Sequence, residues 1–337
     1  MARRLAIVLA LLAGALVLTL AIPHGPWRTG RLQLEPLTPL PDAAREPPRR
    51  IWIDADAACG HSPRTDPDDC LALLSLVQHA ARRIVGVSAV AGNAPLDITE
   101  RTAQALLTKL GAPAAMRRPH ELRQALEAGP LTIVALGPLT NIAAALQGHP
   151  QLTPKVERVI AVMGRRPGHL FHPAEGAGGG MLLGHGPVFS DFNFAQDPQA
   201  AAKVLALDIP LTLIPYDAAR HAEIRAADLD RLAARGGAHA WVAERSRGWL
   251  RFWQDDIGRA GFYPFDLLAA LYVLSPGRFE CAQVLAGIGS DLLFLVPWRD
   301  RALLVTQRPD ELDDAAVKRP AVYCPRLRPG ESLAGIL

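Results

Sequence analysis

The chain reads as an α/β protein: a single three-layer domain with a mostly parallel, Rossmann-like central sheet. Three observations predict it. Short apolar runs recur along the sequence, and each is followed by a stretch with helical spacing. The runs end in polar or glycine-containing segments rather than tight hairpin turns. The length of 337 residues and the 50% hydrophobic content supply apolar surface for one large domain or two ordinary ones. Strands that alternate with helices in this way form parallel sheets covered on both faces.

The elements follow in order. Arg50-Ile51-Trp52-Ile53 is the first apolar run and ends in Asp54-Ala55-Asp56. A polar loop with Gly and Pro occupies 57–67, and Leu71, Leu74 and Val77 then mark one face of a helix. A second strand over 84–90 ends at Gly92-Asn93; a helix over roughly 97–110 is closed by Gly111. The third strand, 131–136, leads into Gly137-Pro138-Leu139-Thr140-Asn141 and an Ala/Leu helix. The fourth, 156–162, ends at Met163-Gly164, and the fifth, 210–214, at Pro215-Tyr216-Asp217. Ligands of parallel sheets bind beyond the carboxyl ends of the strands. That rule brings Asp54, Asp56, Asn93, Thr140 and Asp217 to one site. The glycine-rich stretch 164–187, with His169, His172 and His185, exceeds an ordinary connection; it reads either as an active-site loop or as a structureless one.

The domain itself spans 50–337. Residues 26–49 read as a Pro/Arg-rich linker, and 1–25 as a hydrophobic anchor or signal segment. Arg3 and Arg4 precede 18 apolar residues, Leu5–Ile22, within the ~17–25 that span a bilayer. The expectation is a membrane-anchored protein facing the outer side, or a secreted one. Of 36 Lys/Arg and 33 Asp/Glu, the first 50 residues hold seven Arg and three acids, which leaves 29 against 30. So balanced a domain has no electrostatic footprint for nucleic acid. The four cysteines, Cys59, Cys70, Cys281 and Cys324, permit three pairings in an oxidising compartment. Cys59 and Cys70 flank one loop and are the nearest pair; the alternative is four buried thiols. Oligomeric state is open, a homo-oligomer included.

Asp54, Asp56, Asp66, Asp68 and Asp69 fall within 16 residues, after a buried strand and at the opening of a helix. Carboxylates crowded there repel one another unless a cation neutralises them. Hard oxygen donors with no Cys/His ligand pattern favour Ca²⁺ or Mg²⁺ over Zn²⁺. Capping of a helix N-terminus accounts for one of the Asp68-Asp69 pair, not for the whole set.

The order of motifs resembles the nucleoside-hydrolase family. The pieces are D-A-D then D-D-C-L-A-L, V-A-G-N at 90–93, A-L-G-P-L-T-N at 135–141, V-M-G at 162–164, S-D-F-N-F-A-Q-D-P-Q-A-A at 190–201 and F-D-L-L-A-A-L at 265–271. The resemblance implies a small nucleoside-like substrate and a Ca²⁺ cofactor. It implies Ca²⁺ ligation by Asp56, Asp69, Asp266 and the Thr140 backbone carbonyl. Asp68, Asp191 and Asn193 would hold ribose hydroxyls, Asn93 and Met163 would line the pocket, and Asp266 and His185 would also touch substrate. The expected reaction is hydrolysis of the N-glycosidic bond of a ribonucleoside or related N-riboside, with Asp56 taking a proton from a water placed by the ion.

The chain departs from the family pattern in four places. Eleven residues, 57–67, separate Asp56 from Asp68 where the family usually has three. Asp191 stands where the family usually has Glu, and His185 where it often has Asn. Phe265 replaces a His proposed to protonate the leaving base; Trp253, Asp255, Asp256 and Tyr263 lie just upstream. Two other functions are compatible with parts of the sequence. A phosphatase of the haloacid-dehalogenase type shares a strand ending D-x-D but has no place for Asp68-Asp69 or G-P-L-T-N. A non-catalytic, membrane-tethered Ca²⁺-dependent nucleoside or sugar binder fits Phe265 and the long loop.

Overall fold

The structure, a computed structural model, describes residues 14, 37–40, 46–167, 191–220, 222–293, 298–312 and 317–337. The five expected runs are strands: β1 (Ile51–Ala55), β2 (Ile84–Ala89), β3 (Leu131–Ala135), β4 (Val156–Ala161) and β5 (Leu211–Leu213). They lie parallel in the order β2-β1-β3-β4-β5. Alternate residues divide between the two faces, as a period of two requires. Ile51, Ile53, Ala55 and Ile160 join one apolar cluster; Trp52, Val159 and Ala161 join the other.

The helices complete the outer layers. On the first face are α1 (Asp68–Ala80) and α2 (Leu96–Lys109); on the second, α3 (Glu121–Glu127) and α4 (Thr140–Leu146). Short α5 (Phe192–Gln196) and α6 (Pro198–Ala206) precede β5, and α7 (Tyr216–Ala219) follows it. A small ribbon of β6 (Ile224–Arg225) and β7 (Gly261–Phe262) brackets α8 (Ala226–Ala234) and α9 (Gly237–Phe252). Then comes α10 (Phe265–Leu274), whose residues from Asp266 to Val273 are all buried; a helix apolar on all sides belongs inside the fold.

The last third of the sheet was not foreseen. Strands β8 (Phe279–Leu293), β9 (Trp298–Thr306) and β10 (Lys318–Leu327) extend it to β2-β1-β3-β4-β5-β10-β8-β9. β10 runs parallel to β5 and antiparallel to β8. Disulfides join Cys281 to Cys324, across β8 and β10, and Cys59 to Cys70. Within the stretch read as a linker, residues 37–40 sit on β8: Leu40 N–H donates to the Cys281 carbonyl at 2.7 Å.

The expected membrane anchor is not upheld. Among the described residues no helix is long and apolar enough to cross a membrane. The longest, α9, has 16 residues and carries arginines and a glutamate, whereas a span needs about 20 apolar ones. The membrane partner, the signal segment and the outward-facing or secreted location rested on a span that the described residues do not contain. Residues 5–22, apart from Gly14, lie outside the described residues, as do His169, His172 and His185.

β1 pairs with β2 on one side and β3 on the other, so the winding of the chain reverses there. The crevice beyond the carboxyl ends of β1 and β3 is the place where such sheets bind ligands.

Candidate active site

Two helices start at this crevice. α1 opens with Asp68 and Asp69, and α10 carries Asp266 in its first turn. The helices pack together, and Asp266 N–H donates to Asp68 Oδ2 at 2.9 Å, while Asp69 N–H donates to Asp68 Oδ1 at 3.1 Å. One oxygen from each of Asp68, Asp69 and Asp266 lies within 4.8 Å of the others, and all three residues are buried. The positive ends of the two helix dipoles favour negative charge there.

Asp56 joins this group through hydrogen bonds. Its own N–H donates to Asp69 Oδ1 at 3.0 Å, and its Oδ2 accepts from Asn93 N–H at 2.7 Å. Asn93 Nδ2 donates to Asp69 Oδ2 at 3.0 Å. Two strand-end glycines make room for the carboxylate. A Cβ on Gly92 would lie 1.9 Å from Asp56 Oδ2, and one on Gly137 2.9 Å from Oδ1. Asp54 is a brace: it accepts from Ser88 Oγ and from Asn141 Nδ2 (2.9 Å), and Ser88 in turn accepts from Trp52 Nε1 at 2.8 Å. The sequence reading missed Ser88 and Asn141, which are distant in the chain and meet only because β1, β2 and α4 are neighbours.

Burial raises every one of these carboxyls. Asp54 is pushed up to about 6 and Asp56 to about 7, the latter helped by the charge of Asp68 and opposed by the Asn93 N–H. Burial also lifts Asp68, against its hydrogen bonds. Asp66, Asp69 and Asp266 are pushed well above the carboxylate range by burial first and then by neighbouring carboxylates. Among the described residues, Asp56 Oδ1 and Asp266 Oδ1 are buried with no hydrogen-bond partner. Such a set is costly to ionise alone and is relieved by a cation. Its donors are all oxygens, the chemistry of Ca²⁺ or Mg²⁺. The chain therefore holds a buried carboxylate cluster able to coordinate a divalent cation.

A cavity of about 530 Å³ opens beside the cluster. Asp68, Asn93, Met163, Asp191, Asn193 and Asp266 line it; Asp56 and Asp69 do not. Asn193 Nδ2 donates to the Leu136 and Val162 carbonyls at 2.6 and 3.0 Å, tying the ends of β3 and β4 together. Asp191 caps α5 and also accepts from Gly164 N–H at 2.6 Å. Thr140 is exposed and outside the wall, its hydroxyl donating to Asp197 Oδ2 at 2.7 Å. Trp253 and Tyr263 pack on each other at 4.8 Å and do not line the cavity, and Asp256 pairs with Arg64 at 3.1 Å. The wall on that side comprises Phe265 stacked on Tyr216, Trp249, and His61, Ser62, Arg64 and Thr65 from the 57–67 loop. The length of that loop, entering at a strand end, was the available signal for these last four.

A family profile for inosine-uridine preferring nucleoside hydrolases matches residues 111–302. The chain belongs to the inosine-uridine preferring nucleoside hydrolase family. Among its relatives is the pyrimidine-specific ribonucleoside hydrolase RihA of Salmonella enteritidis, 31% identical over 163 residues, 48% of this chain and 48% of that protein. The chain thus spans about half the length of the curated relatives it matches. Its fold is similar to that of a plant nucleoside hydrolase (TM-score 0.64, 16% identity, covering 82% of this chain and 94% of the other). It is also similar to a purine-preferring ribonucleoside hydrolase from Gardnerella vaginalis (TM-score 0.61, 17% identity, 82% and 93% covered). Within the nucleoside hydrolase family, the carboxylate cluster of this member stands at the switch point of the sheet, beside a cavity with one aromatic side.

Proposed function

We propose that the protein is a calcium-dependent hydrolase of the N-glycosidic bond of a ribonucleoside or related N-riboside. The observation that carries the reading is the buried cluster of Asp68, Asp69 and Asp266, open to a cavity and joined to Asp56, with two carboxylate oxygens lacking partners. Asp56, Asp69 and Asp266 would hold the ion; the Thr140 carbonyl, the fourth ligand the sequence suggests, belongs to an exposed residue outside the wall. Bound calcium supplies an acidified water and a grip on vicinal hydroxyls.

The residues of the chain do the rest. Asp56 takes the proton of the attacking water; Asn93 and the glycines at 92 and 137 fix its carboxylate. Asp68, Asp191 and Asn193 orient the ribose, which gathers positive charge as the bond to the base breaks. Phe265, Tyr216 and Trp249 offer an apolar aromatic face to a planar base.

Turnover of inosine, uridine and p-nitrophenyl riboside, with chelator and with added calcium, tests the reading. Activity that chelator abolishes and calcium restores is expected. Calcium-dependent binding of nucleosides without turnover of any of the three would replace the enzyme with a binding protein.

A further inference from the structure

The 57–67 loop is fixed from three sides. The Cys59–Cys70 bond ties it to the residue after Asp69. Pro63 lies flush on α9, where a Cβ on Gly248 would come within 2.8 Å of the proline Cα and 2.9 Å of its carbonyl oxygen. Arg64 pairs with Asp256 and sits over the Phe252 ring, 5.3 Å from its centroid. Inside the loop, His61 N–H donates to the Ala58 carbonyl at 2.9 Å, and the Ser62 and Thr65 hydroxyls lie 2.8 Å apart. His61 lines the cavity two residues beyond the disulfide-bonded Cys59.

When the N-glycosidic bond breaks, its electron pair remains on the base, which departs slowly unless it gains a proton. Among the described residues, few groups on the cavity wall can give one. Phe265 has none. A guanidinium does not release its proton in proteins, which removes Arg64 and Arg165. Asp191 accepts from two backbone N–H groups, and Asp217 from the Tyr323 hydroxyl. Asp68 and Asp266 belong to the cluster, and Asp66 is tied to it by the Asp68 N–H, its proton held by burial and by the neighbouring carboxylates. A phenol ordinarily holds its proton to about pH 10. Imidazole is the side chain suited to proton donation near neutral pH.

Resting on the hydrolase reading above, we propose that His61 is the catalytic acid for the departing base. The bond between the anomeric carbon and the base nitrogen breaks, and its electron pair goes to the base. The imidazolium of His61 delivers its N–H proton to the base. The water oxygen bonds to the anomeric carbon and its proton passes to Asp56. His61 ends neutral and Asp56 protonated; exchange with solvent restores both.

The test compares the full-length wild type, His61→Ala and His61→Gln on inosine, uridine and p-nitrophenyl riboside, whose nitrophenolate leaves without a proton. Both variants should lose roughly 10²–10⁴-fold in kcat on the nucleosides and keep their rate on p-nitrophenyl riboside. Phe265→His added to His61→Ala should recover part of the nucleoside rate. Equal losses on all substrates would make the loop merely structural and overturn the proposal, as would unchanged nucleoside rates. A wild type that cleaves p-nitrophenyl riboside but neither nucleoside would overturn the His61 role and leave the hydrolase standing. Inactivity toward all three would remove both.

Discussion

Asp56 shows how one carboxylate is set by its surroundings. Its oxygens are wedged between two glycine backbones, and burial holds it up to about 7, with Asp54 behind it at about 6. In the unfolded chain an Asp titrates near 3.9. Between those values the metal-free folded chain keeps protons that the unfolded chain has released, so its stability falls as pH rises from about 4 to about 7. Calcium needs deprotonated ligands, so its affinity rises over the same window. Urea unfolding in chelator should give lower stability at about pH 7.5 than at about pH 5, and calcium titration the opposite trend in affinity. Greater stability of the chelated protein at the higher pH would contradict the burial of these groups. The acidic residues themselves were legible in the sequence, because strand ends and a helix start gather them. Asn141 and Ser88 were not, because neighbours brought together by sheet order leave no local pattern, and His61 was signalled only by the length of its loop.

Among the elements, the first five strands and the helix carrying Asp68 follow from apolar spacing, and the segment carrying Asp266 was pointed to by the family resemblance alone. β8 to β10 escaped that reading, because long antiparallel strands at the end of the chain complete a sheet whose earlier strands are short and parallel. The nearer cysteine pairing also held, and the second pair became evident only when β8 and β10 were side by side. The two bonds do different work. Cys59–Cys70 holds a wall of the cavity, whereas Cys281–Cys324 joins two sheet strands. Replacing either pair by serine should cost roughly 2–4 kcal/mol in urea unfolding. Only the Cys59→Ser, Cys70→Ser variant should raise KM for nucleosides. A rise of similar size in the Cys281→Ser, Cys324→Ser variant would show that the loop bond has no special hold on the cavity.

For the whole molecule, a cation held by this buried cluster would couple its binding to folding. A ligand at about 100 times its Kd adds about 2.7 kcal/mol to stability. Calcium should therefore raise Tm by several degrees, and magnesium by less if the site takes more ligands than a six-coordinate ion uses. Asp69→Ala should abolish both the shift and the bound ion; full calcium occupancy in that variant would remove Asp69 from the ligand set.

The hydrogen bond from Asp266 to Asp68 joins residues 198 positions apart. A ribosome adding about 5–20 residues per second needs roughly 10–40 s to travel from one to the other. For that interval the aspartates at 54, 56, 66, 68 and 69 exist as a nascent segment without the helix that encloses them. Assembly of the carboxylate cluster is thus a late event in the life of the polypeptide, timed by the arrival of α10.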